Sequence, residues 1–158
     1  MINLLKYLFI LIVCLFIWFF PVFVPVDYSY FQELSLPFFA PPPIFYGIAW
    51  TIIYILVSIS MANIFSSYRF SEVSLSYKFT LIINYIFNHS FVFVFFGLRQ
   101  NFLGFISCLG TFISCLFLYY ETSKLKERSV KLLDPYILLS LFATVLSLTI
   151  YLMNTLPY

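Results

Sequence analysis

An all-α bundle of five membrane-crossing helices is the fold that this sequence predicts. Three observations carry that expectation. Of 158 residues, 63% are hydrophobic and only 9% charged. The apolar residues gather into five runs of about 20, the length a helix needs to cross a hydrocarbon core of roughly 30 Å. The basic residues then divide unevenly between the two sides that this count creates. Soluble domains carry about 25% charged residues, and a chain this apolar would expose large sticky patches in water. Lipid is the solvent that suits it. The length fits one bundle and leaves no room for a second soluble domain.

The first span is expected over about residues 4–24, around FILIVCLFIWFF. Its apolar core is too long for a cleaved signal peptide, and no small-residue cleavage site follows. The second, about 44–65, starts after Pro41-Pro42-Pro43, because proline is tolerated where helix amides have no partner. The third covers about 75–96, the fourth about 102–120 and the fifth about 132–153. Five spans put Lys6, Arg69, Lys78, Lys124, Lys126, Arg128 and Lys131 on one side and Arg99 alone on the other, with Asp27 and Glu33. By the positive-inside rule the N-terminus is cytoplasmic and the C-terminus external.

The connection over residues 25–43, PVDYSYFQELSLPFFAPPP, holds no basic residue. Its aromatics suit an interfacial anchor; its length suits a lid. Polar residues inside spans turn away from lipid. Asn84, Asn88, Phe91 and Phe95 fall on one face of the third span, and Ser140, Ala143, Thr144, Ser147, Tyr151 and Asn154 on one face of the fifth. Either stripe serves close helix packing or lines a polar patch in a pocket.

Several chemistries have no footing. The net charge of +2 forms no basic stripe, so nucleic acid is not an expected partner. Cys14, Cys108 and Cys115 lie in apolar runs without a CxxC pair, which suits packing better than a metal site. His89 has no second ligand in sight, so an interior hydrogen-bonding role is expected rather than axial ligation of iron. No GxSxG elbow, HExxH pair or glycine-rich phosphate loop is present. No span holds an acid pair or an internal lysine of the kind that marks ion pathways. No resident cofactor, metal or enzymatic activity is expected.

Three segments resemble the translocator protein family, whose bacterial members are the tryptophan-rich sensory proteins. In LPFFAPPPIFYGIAWTIIY the matching positions are Pro37, Phe38-Phe39, Pro41-Pro42, Trp50-Thr51 and Tyr54. In NYIFNHSFVFVFFGLRQ, Asn88 and Phe95-Phe96-Gly97 fall in register, with Phe91 where tryptophan is usual. DPYILLSLFATVLSLTIYLMN carries Pro135-Tyr136, Ala143-Thr144 and Asn154. The resemblance implies a five-helix bundle, commonly dimeric, with a pocket roofed by the first connection. It implies a receptor or sensor for porphyrins or similar flat apolar ligands, with membrane lipid and a second copy of the chain as partners.

The ligand-binding residues implied are Trp50, Asn88, Phe91, Ala143, Ser147, Phe31, Phe39, Pro42 and Tyr54. Aromatic faces suit a flat macrocycle, and Ala143 leaves room by being small. The rival readings are a facilitative transporter of such ligands, a porphyrin-degrading enzyme and a structural membrane subunit. Leu139 stands where the family often has tryptophan, which disfavours degradation. No Lys or Arg follows Tyr151, so the sterol-recognition pattern of the fifth helix is absent.

Overall fold

The structure, a computed structural model, describes residues 4–25, 27 and 29–155. Its elements are α1 (Leu4–Trp18), α2 (Tyr30–Glu33), α3 (Pro43–Ser67), α4 (Leu75–Phe91), α5 (Asn101–Leu125), α6 (Glu127–Val130) and α7 (Asp134–Thr155). A 3-10 turn over Phe20–Phe23 extends α1, another over Lys131–Leu133 leads into α7, and a π-helical segment over Val92–Gly97 continues α4. There is no strand among the described residues.

The distribution of side chains is inverted relative to a water-soluble bundle. Asn84, Thr122, Ser129 and Ser58 are fully buried, while Phe9, Ile12, Phe16, Ile44, Ile48 and Ile52 stand exposed. Apolar residues on the outside and hydroxyls and amides on the inside are what lipid as solvent demands. The stretches Pro43–Ser67, Leu75–Gly97, Asn101–Leu125 and Glu127–Thr155 are long and apolar enough to cross a membrane; Leu4–Trp18 is a shorter apolar helix.

Helix limits depart from the expected ones for local reasons. The first α-helix stops at Trp18 rather than near residue 24. Pro21, which has no N–H to continue the ladder, sits at the start of the 3-10 turn. The second long helix begins at Pro43 itself, where proline's fixed φ is already helical. α5 runs on to Leu125, past the expected end near residue 120, because polar Glu121 and Thr122 are buried against neighbouring elements rather than left at the surface. The π segment had no counterpart in the expected pattern. There the amide of Leu98 reaches the Phe93 carbonyl at 3.0 Å.

α1 packs along α3, α4 along α5 and α5 along α7, with a lighter contact between α3 and α7. The α4–α5 approach is close. A Cβ at Gly104 would come within 2.7 Å of the Phe95 ring, and one at Gly110 would fall within the Phe87 ring.

The two ends of the bundle differ in charge. At one end, the Lys6 ammonium donates to the Ser66 carbonyl at 3.2 Å and that of Lys126 to the Asn63 carbonyl at 3.3 Å. The Ser66 carbonyl is one of the last in α3 and lacks an amide partner within the helix, and both ammonium groups sit at the negative end of the helix dipole. Lys78 caps the Phe70 carbonyl nearby at 3.1 Å. At the other end lies the segment that connects α1 to α3.

Candidate functional site

A cavity of about 610 Å³ opens in the half of the bundle beneath that connection. Its wall comes from every long helix, because Trp50 and Tyr54 enter from α3, Asn88 and Phe91 from α4, Cys108 and Thr111 from α5, and Ser140, Ala143 and Ser147 from α7. The roof is Phe31, on α2.

The π segment explains the aromatic side of the wall. Its wider turn brings Phe91, Phe95 and Phe96 to the cavity together. Phe91 and Phe95 stack with centroids 4.9 Å apart and planes 14° from parallel, and Phe96 meets Phe95 edge-on at 4.9 Å. Across the cavity, Trp50 is tilted against Tyr54 at 5.8 Å and edge-on to Tyr136 at 6.2 Å. π-helical turns inside α-helices are frequent at functional sites.

The floor is a hydrogen-bonded chain that ties four helices. The Tyr54 hydroxyl donates to Asn88 Oδ1 at 3.0 Å, Asn88 Nδ2 donates to the Tyr136 hydroxyl at 3.1 Å, and Tyr136 donates to Asn84 Oδ1 at 2.8 Å. Asn84 Nδ2 completes it on Ser114 Oγ at 2.9 Å and the Thr111 carbonyl at 3.1 Å. Each side chain of this chain of bonds thus meets a partner, as hydrocarbon surroundings require. Asn88 keeps one amide N–H beyond this chain. Ser147 donates to the Thr144 carbonyl at 3.2 Å and meets the Cys108 thiol beside it. The site therefore offers a few polar contacts in an apolar, aromatic enclosure, the usual make-up of a small-molecule pocket.

The roof is pinned from both flanks. Arg99 pairs with Asp27 at 3.0 Å and Glu33 at 3.1 Å, and its guanidinium lies 5.2 Å from the Tyr30 ring centroid. Tyr30 in turn donates to Asn101 Oδ1 at 2.9 Å. Arg99 adopts φ of 52°, a left-handed conformation that costs a non-glycine residue about 1–2 kcal/mol. On the other flank, Asn154 of α7 receives the Ser35 amide and donates to the Ser35 carbonyl, both at 3.0 Å. The hydrogen bond from Ser29 and then the Arg99 guanidinium hold the Asp27 carboxyl below its usual range.

Of the nine residues singled out in the sequence, Trp50, Tyr54, Asn88, Phe91, Ala143, Ser147 and Phe31 all line this cavity. Phe39 and Pro42 stand outside its wall. Phe39 packs edge-on against Phe142 at 6.4 Å, and Pro42 occupies the N-cap position of α3 with φ −55° and ψ 147°. Proline's ring suits that extended cap but points no face into the cavity, where Pro43 is the lining proline. The two stripes serve both purposes. Asn84 joins helices, whereas Asn88, Ser140, Ala143 and Ser147 also line the cavity. Cys108 and Thr111 were not singled out as wall residues. The row Gly104, Cys108, Thr111, Cys115, small or polar at helical spacing, is the signal that marks this face of α5. His89 faces backbone, with Nδ1 3.0 Å from the Tyr85 carbonyl and Nε2 3.3 Å from that of Trp18.

Comparison with known proteins agrees with this architecture. The family model described as TspO/MBR family matches residues 9–152. The chain is 36% identical over 130 residues to the tryptophan-rich protein TspO of Bacillus cereus, covering 82% of this chain and 84% of that one. It is 35% identical over 130 residues to the uncharacterized membrane protein YtaB of Bacillus subtilis, covering 82% and 83%. To the tryptophan-rich protein TspO of Archaeoglobus fulgidus it is 26% identical over 132 residues, covering 80% of each.

Proposed function

Because this chain belongs to the TspO/MBR family of membrane proteins, we propose that it is a membrane receptor for porphyrin-type tetrapyrroles or similarly flat, apolar molecules, held in the cavity beneath the connecting segment. The observation that carries this reading is the cavity of about 610 Å³ between the Phe91–Phe95 stack and Trp50. Its volume lies within the ~300–1,000 Å³ of ligand pockets. Aromatic rings stack offset or edge-on against a flat π-system. Asn88 and Ser147 supply polar contacts at the edge, and Ala143 keeps the α7 side low.

In this reading α1 is the fifth span. Its 15 residues rise about 22 Å, and the four residues of the 3-10 turn add about 8 Å. The sum matches a core of about 30 Å. The lysine-rich end faces the cytoplasm, together with the N-terminus, and the pinned segment lies outside. The protein works as a homodimer and binds its ligand without turnover; Leu139, in place of an aromatic, leaves no further indole on that side.

The test is titration of the purified protein in detergent with protoporphyrin, read by tryptophan fluorescence. The chain has two tryptophans, Trp18 and Trp50. Trp18 is buried behind the cavity wall, its ring 5.8 Å from that of Tyr54 and its Nε1 2.9 Å from the Met61 sulfur. Saturable quenching that is largely lost in Trp50→Phe supports the reading. Equal quenching in that variant overturns the placement of the ligand.

A further inference from the structure

The cavity is not closed on all sides, and the residues that both line it and stand exposed are not scattered. Among the described residues they are Val22, Ser29 and Gln32 on the stretch that follows α1, and Pro43, Gly47 and Thr51 on α3. The wall residues named on α4, α5 and α7, from Asn88 and Phe91 through Cys108 and Thr111 to Ala143 and Ser147, are buried or half-buried. Pro43, Gly47 and Thr51 repeat every four residues and so share one face of α3. From the first to the last they descend about 12 Å along the helix, from the level of the connecting segment into the apolar zone. A Cβ placed on Gly47 meets nothing within 4 Å. The neighbouring positions Ile44, Ile48 and Ile52 present large exposed side chains, so this edge of α3 borders lipid.

We propose that the gap between the α1 extension and α3 is a lateral slot through which the ligand passes edge-on between the outer leaflet and the cavity. The proposal rests on the ligand-binding reading above and narrows its chemistry. Ser29 and Gln32 sit at the upper end of the slot and Val22, Gly47 and Thr51 lower down. A molecule that fits it carries polar substituents along one edge and an apolar body, and it reaches the site from the membrane rather than from water. The Arg99 and Asn154 contacts hold the roof in place throughout, so the roof does not need to lift. Gly47 is the position where the absence of a side chain keeps the slot open.

The experiment uses the full chain in lipid vesicles and two readouts. In the first, association and release of protoporphyrin are followed by stopped-flow tryptophan quenching for wild type, Gly47→Ala, Gly47→Phe and Arg99→Gln. Gly47→Phe slows both rates together, by about tenfold, the effect of ~1.4 kcal/mol added to the barrier. Gly47→Ala falls between, and Arg99→Gln leaves the association rate within a factor of about two. In the second, lipids brominated in the upper acyl chain quench Trp50, measured as the difference between wild type and Trp50→Phe, and Gly47→Phe abolishes that quenching. Unchanged rates and unchanged lipid quenching in Gly47→Phe overturn the slot, as does faster association in Arg99→Gln with none of the expected slowing in Gly47→Phe. Lipid quenching that depends on Gly47 without any porphyrin signal leaves the slot standing and removes the porphyrin reading instead.

Discussion

Asn88 of α4 and Tyr136 of α7 share a buried hydrogen bond of 3.1 Å directly beneath the cavity, and each is committed on its other side as well. Tyr54 donates to Asn88, and Tyr136 donates to Asn84. This relationship makes the cavity floor rigid, because moving any one of α3, α4 or α7 breaks a bond whose groups have no water to turn to.

Tyr136→Phe is therefore expected to destabilise the bundle by about 1–3 kcal/mol, the cost of leaving buried amide groups of Asn84 and Asn88 unpaired. Thermal unfolding in detergent checks this. A Tyr136→Phe variant that melts with wild type would show that the chain carries no net stability.

The glycines of the bundle divide by what surrounds them. Gly110→Ala forces a methyl into the Phe87 ring and should lower stability by about 1–3 kcal/mol through overpacking. Gly47→Ala meets open space and should raise it by roughly 0.5–1 kcal/mol, since alanine loses less backbone freedom on entering a helix. Opposite shifts in melting temperature are the expected result.

The roof is held by a carboxylate whose pKa is depressed in the folded protein. Asp27 contributes to the clasp while ionised, so its contribution is full above the ordinary aspartate range and is lost as the pH falls through the lowered folded value. Hydrogen-exchange protection over Tyr30–Glu33, taken relative to the intrinsic rate at each pH, should fall on acidification to that region and should be low already at neutral pH in Asp27→Asn. Exchange that is indifferent to both would assign the clasp to Glu33 and Tyr30 alone.

Ala143 lies on the cavity wall, half-buried. Ala143→Phe should abolish porphyrin quenching by filling the space against α7, while circular dichroism stays helical. Binding that survives would place the ligand elsewhere along the bundle.

The native thiols Cys14, Cys108 and Cys115 are all buried, so an introduced cysteine reports cleanly. Ser123 is exposed at the lysine-rich end and Ser35 is exposed in the roof, where its backbone rather than its side chain meets Asn154. With an impermeant thiol reagent on intact cells, Ser35→Cys should label and Ser123→Cys should not. The reverse pattern would invert the proposed orientation.

Much of this architecture was legible in the order of residues because lipid imposes a one-dimensional rule. Apolar runs of spanning length, interrupted by the Pro41–Pro43 cluster and by basic clusters, announce helices whatever their neighbours do. Seven of the nine candidate residues that the family resemblance implied line one cavity; the lipid rule accounts for Asn88, Ala143 and Ser147 among them, whose scarce amide, hydroxyl and small side chains turn inward. Phe39 and Pro42 did not, because in a chain with 22 phenylalanines an aromatic or proline close to the site in sequence has many other surfaces to cover. The tertiary structure alone decided the rest. The π-helical turn that brings Phe96 to the cavity beside Phe95 depends on how α4 closes against α5. The clasp of Arg99 on Asp27 and Glu33 joins residues 66 and 72 positions apart. The open space at Gly47 is a property of how α3 sits beside the end of α1. Periodicity records which face of a helix avoids lipid; only packing determines which neighbour that face meets and where a gap is left.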